Sequence, residues 1–146
     1  MEKIILIFFC LSFSSQSFAA SANLYEKLEK TLNEIEKESA KAAAAKVEFL
    51  KKEFTKQLDS IKPDNESDTR FNLMIFNEYF EYLPVTEVLK DKLKKQDCRA
   101  AYSRIYNFTG LDPSSDVPLP PAGELTIKYL DVLCKKFPSY RSNSEE

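Results

Sequence analysis

The chain contains no histidine. That absence removes Ser-His-Asp and Cys-His catalysis and most zinc enzymes. Glycine is nearly missing as well, with only Gly110 and Gly123 present. So little turn glycine argues against a strand-and-turn sandwich, and the abundance of Ala, Leu, Lys and Glu favours helices. There is no Gly-rich phosphate loop, no calcium-binding loop and no C-x-x-C pair. The formal net charge is only -2, which gives no support to nucleic-acid binding. No cofactor is implied.

The long hydrophobic run of a membrane span is also lacking. The one candidate, Ile4 to Phe13, is about half of the roughly 20 residues needed to cross a bilayer. It follows Lys3, is ended by Ser12, Ser14, Ser15 and Gln16, and leads to two small-residue cleavage patterns, Ser17-Phe18-Ala19 and Ala20-Ser21-Ala22. This is the layout of a secretory signal peptide over 1–19, with cleavage after Ala22 as the alternative. Cys10 follows Ile7-Phe8-Phe9, too bulky for lipidation, so no stable membrane anchor is expected after cleavage. The reading predicts an exported protein, periplasmic or secreted.

In an oxidising compartment, loss of Cys10 with the leader leaves an even pair, Cys98 and Cys134, and a disulfide between them is expected. Without histidine or a C-x-x-C motif, a redox or metal role for the pair has little to stand on.

Residues 20–62 read as one long amphipathic, coiled-coil-like helix. Leu24, Leu28, Leu32 and Ile35 recur at helical spacing, and Val47, Leu50, Phe54, Leu58 and Ile61 resume the stripe across the small residues Ser39 and Ala42 to Ala45. Unbroken, about 39 residues would extend about 60 Å. A compact domain of this size is only about 35–40 Å across. Either the helix breaks near Ser39–Ala45, or its N-terminal half overhangs and finds a partner. Leu24, Leu28, Leu32 and Ile35 are therefore the candidate partner-binding residues.

Residues 63–138 read as a small helical bundle. A helix capped by Asp68 runs to about Leu83, with Phe71, Leu73, Met74, Ile75, Phe76, Tyr79, Phe80 and Tyr82 on nearly all sides, the pattern of a central core helix. Thr86 and Glu87 open the next helix, and Lys90, Lys92, Lys94 and Lys95 are expected on its basic outer face. Cys98, Ala101, Tyr102 and Ile105 share a face of a further segment that Gly110 closes as a C-cap. A Pro-rich loop over 111–123 leads to a last helix from Glu124 to about Phe137. Residues 139–146 are expected to be a disordered tail. The fold class is all-α: a long N-terminal amphipathic helix followed by a disulfide-stapled bundle.

The leading expectation is a non-enzymatic exported protein that binds a protein partner, or forms a homo-oligomer, through its N-terminal helix. An inhibitor-like, immunity-like or chaperone-like role would fit. A second class is a small carboxylate-dependent enzyme acting on cell-envelope polymer through Glu78 and Glu81, which share a face of the aromatic helix. A third is a carrier of an apolar ligand among that helix's aromatics. Asn65 and Asn107 head glycosylation sequons, relevant only in a eukaryotic secretory pathway.

Overall fold

The computed structural model describes residues 23–64 and 67–137. The expected signal segment, Cys10, the Asn65 sequon and the tail over 139–146 lie outside these residues. Among the described residues every regular element is a helix, with no strand. Helix α1 covers 23–35. It is followed by α2 (Ala40–Ser60), α3 (Asp68–Glu81), α4 (Val85–Leu89), α5 (Lys95–Thr109) and α6 (Pro121–Leu133).

The expected continuous helix over 20–62 is two helices. Residues 36–38 form a turn: the Glu38 amide donates to the Ile35 carbonyl at 3.1 Å. Ser39 is extended and its hydroxyl accepts from the Ala42 amide, capping α2. Lys135 on the other side of the turn donates to the Glu36 and Glu38 carbonyls, groups that a continuing helix would have satisfied internally. The pairs Lys27–Glu53 (3.8 Å) and Lys46–Glu34 (4.0 Å) join early α1 to late α2 and late α1 to early α2, so the two run antiparallel. Lys46 also pairs with Glu38 at 2.6 Å. The overhang disappears because α2, 21 residues long, extends only about 31 Å.

Folding back places Leu24, Leu28, Leu32 and Ile35 in one core with Val47, Leu50 and Phe54 of α2. A chain of aromatic rings runs through that core. Tyr25 meets Phe76 at 5.1 Å, Phe54 meets Phe80 at 5.5 Å, and Phe80 meets Tyr129 at 5.0 Å. Tyr129 on α6 donates its hydroxyl to the Leu28 carbonyl at 2.6 Å, tying α1 to the opposite side of the bundle. Burial, aided by the Glu34 carboxylate, raises the Tyr129 phenol well above its ordinary value.

Helix ends follow local chemistry, with three differences from expectation. Ser67, not Asp68, caps α3, its hydroxyl accepting from the Arg70 amide at 3.2 Å. Helix α4 stops at Leu89, so Lys90, Lys92 and Lys94 lie in a connecting segment rather than on a helix face. Asp91 there takes a positive φ of 55° and pairs with Lys41 at 2.7 Å. Asp97 is the third residue of α5, and its carboxylate reaches back to the Lys94 amide at 2.8 Å. Gly110 does end α5, at φ 70°. Helix α6 begins within the expected loop, at Pro121, whose fixed φ suits a first helical turn. Gly123 therefore sits inside α6, where a Cβ would come within 3.0 Å of the Tyr79 hydroxyl; its lack of a side chain lets α6 close onto α3. Cys98 and Cys134 form the expected disulfide, with Cα atoms 6.2 Å apart, joining α5 to the end of α6.

Candidate functional site

The stripe expected to dock a partner is not on the surface. Leu28 and Ile35 are fully buried, and Leu24 and Leu32 nearly so. The physical reason is the turn at 36–38: once α1 reverses, its apolar face has the chain's own core to cover it. The free arm is thereby replaced by a core helix.

Helix α3 departs from expectation in the opposite direction. Leu73, Phe76, Tyr79 and Phe80 are buried, but Phe71 is 64% exposed and Met74 is 42% exposed. Ile75 and Tyr82 are half-buried along the same side. Phe108, from the last turn of α5 and 40% exposed, extends this surface. Its ring packs edge-on against Tyr79 at 4.9 Å and against Tyr82 at 6.0 Å. The result is a ridge of large apolar side chains at both ends, Phe71 and Met74 at one and Tyr82 and Phe108 at the other, with Glu78 between them. Its elements are rigidly seated, because the opposite face of α3 is core.

Charged groups accompany the ridge within two turns. Arg70 lies one turn before Met74, and its Nη1 donates to the Met74 sulfur at 3.2 Å. Its Nε is buried with no hydrogen-bond partner among the described residues. Glu78 lies one turn after Met74 and accepts the Tyr82 hydroxyl at 2.6 Å. That bond, with burial, pushes the Tyr82 phenol up to about 12. Phe49, 63% exposed, stands apart from this surface on the outer side of α2, among Lys52, Glu53 and Lys56 of the next turns.

The acids proposed for catalysis sit at the surface. Glu78 is engaged by Tyr82, and Glu81 pairs with Lys51 at 3.3 Å while 57% of its side chain stays exposed. Beside Glu81 a polar cleft of about 290 Å³ holds Glu87, Asp97, Lys51 and Arg104. Basic groups stand among its carboxylates. Among the described residues no group of three or more His, Cys, Asp and Glu side chains is placed to hold a metal ion. The inward aromatics of α3 pack ring against ring as core, as described above, which assigns them a structural task. On the far side, Tyr102 and Tyr106 stand 4.8 Å apart beside Pro118, Glu124 and Asp131, at the edge of a groove of about 360 Å³.

No described helix is long and apolar enough to cross a membrane. The chain matches no protein-family model, no curated protein and no solved structure. Its functional reading therefore rests on the residues themselves.

The ridge escaped the sequence reading because a helix apolar on nearly every side looks like a buried one. The usable signal was the excess itself. A helix of 14 residues in a small bundle has a solvent side, so apolar residues on all sides leave some of them uncovered.

Proposed function

We propose that this protein is an exported, non-enzymatic binding module that engages a protein partner through the ridge of Phe71, Met74, Tyr82 and Phe108. The observation that carries this reading is the exposure of Phe71, Met74 and Phe108 on helices whose other faces are core. Aromatic and methionine side chains are enriched at protein interfaces, and large apolar side chains gathered on one side of a seated helix suit an interaction site. The Lys3–Ala22 layout supports export, and the Cys98–Cys134 disulfide agrees with an oxidising destination. An inhibitor-like, immunity-like or chaperone-like role would each use such a surface.

The test is site-specific photocrosslinking in the native compartment. A benzophenone amino acid at position 71 or 108 should give protein adducts, and the same probe at position 49 should not. Equal yields at all three positions, or none at 71 and 108, would remove the reading. Mass spectrometry of the recovered protein should find the chain beginning at Ala20 or Asn23. Recovery with residues 1–19 still attached would overturn export through a cleaved leader.

A further inference from the structure

The charges beside the ridge identify the partner. We infer that the ridge is a self-association surface, on which a second copy of this chain docks its own α3 antiparallel about a twofold axis through Met74. This deepens the binding reading above and rests on it.

Two charges of α3 are placed symmetrically about Met74. Arg70 lies four residues before it and Glu78 four after, each about 6 Å along the helix axis. In a twofold antiparallel pair, a residue before the axis meets the residue equally far beyond it on the other copy. Arg70 of one copy then faces Glu78 of the other, and the pairing occurs twice. Helices most often cross with their i±4 rows alongside each other, and Arg70, Met74 and Glu78 form such a row. Phe71 flanks the row just under one turn before Met74, and the two Met74 side chains meet on the axis.

The condition of the charged groups in the single chain fits this arrangement. The Arg70 guanidinium has a sulfur as its acceptor through Nη1 and no carboxylate partner among the described residues. A guanidinium is a planar fork suited to a carboxylate. Glu78 is held in place by the Tyr82 hydroxyl through Oε1, so its orientation is set before a second copy arrives. Acid and base placed symmetrically about Met74 match the same helix in a second copy.

The experiment is sedimentation velocity on the full chain recovered, disulfide intact, from the compartment to which it is delivered, over roughly 1 µM to 1 mM, a range spanning weak to moderate affinity. Wild type should show a concentration-dependent dimer. Arg70→Glu leaves only acids beside the row, and Glu78→Arg leaves only bases. Each alone should weaken dimerisation by about tenfold or more, because like charges would then face each other. Mixed in equal amounts, the two variants should form a heterodimer with both charge pairs restored, and the double variant R70E/E78R should dimerise like wild type. Met74→Lys should abolish the dimer. Circular dichroism and melting establish that each variant is folded; should one fail to fold, Met74→Lys and the double variant still decide the question. Wild type monomeric throughout, or a dimer indifferent to these changes, would overturn the inference. A monomer that still crosslinks from position 71 in the native compartment would overturn self-association while leaving the binding reading in place.

Discussion

Helices α1 and α3 are both apolar enough to serve as core or as interface, and they exchange the roles that their patterns suggest. The α1 stripe of Leu24, Leu28, Leu32 and Ile35 is narrow and regular, as in a helix awaiting a coiled-coil partner, yet it is buried within its own chain. The α3 pattern is apolar nearly all round, as in a central helix, yet Phe71 and Met74 remain in solvent. A narrow stripe can be covered completely by one reversal of the chain. A helix apolar on every side cannot be covered completely by a bundle this small. The difference teaches that surplus apolarity, rather than tidy periodicity, marks the surface left over for a partner.

The contrast can be broken most forcefully at Leu28. Leu28→Asp places a charge in a fully buried position and should cost at least about 4–5 kcal/mol, enough to threaten the fold of a small domain. A denaturant titration that finds little change would return α1 to the role of free arm. Reduction of the Cys98–Cys134 bridge comes next. It frees a segment spanning 36 residues and should cost about 4 kcal/mol on the chain-entropy account. Because α6 carries Tyr129, the contact with α1 should loosen too, read as faster amide exchange in 23–35; unchanged exchange would separate the staple from the α1 seat.

Tyr129→Phe probes that seat directly. It removes the side-chain donor from the Leu28 carbonyl, which keeps its helical bond within α1, and should cost about 0.5–1.5 kcal/mol near neutral pH. It also has a pH signature. The phenol ionises near 10.0 unfolded and higher in the folded protein, because burial disfavours the phenolate. The folded state therefore keeps a proton that the unfolded chain releases. Its stabilising contribution is complete below pH 10 and is lost as pH rises above that value. Denaturation midpoints from about pH 8 to about pH 11.5 should fall on the alkaline side in wild type and fall less in Tyr129→Phe; parallel curves would contradict the assigned burial. Ser39→Ala removes the cap that starts α2 and should cost about 1 kcal/mol by thermal melting. No change would mean that tertiary packing alone holds the reversal. The smallest effect is expected at Met74→Ala, within about 0.5 kcal/mol in monomer stability. A loss several times larger would move the ridge into the core and break the comparison from its other side.

Much of the architecture was legible in the chain. Helical spacing of Leu, Val and Phe marked the helices, Gly110 marked the end of α5, and an even pair of cysteines marked the staple. The break between α1 and α2 was legible only as a need, from length, because residues 36–39 contain neither Pro nor Gly to announce it. Ser39 was read as a small residue on the stripe, although a serine before a helical run is also a cap. Gly123 and the early start of α6 were hidden because three of the four residues Pro118 to Pro121 are proline, which reads as loop, whereas Pro121 begins a helix.

The sequence by itself determined the helical class, the positions of most helices and the pairing of Cys98 with Cys134, since propensity, periodicity and cysteine parity are local or countable properties. Only the tertiary structure decided which apolar face met which. That outcome depends on where the chain reverses and on how much area the neighbouring helices can cover. Leu28 and Met74 are both apolar residues within helices. Packing alone placed the first in the core and left the second on the ridge.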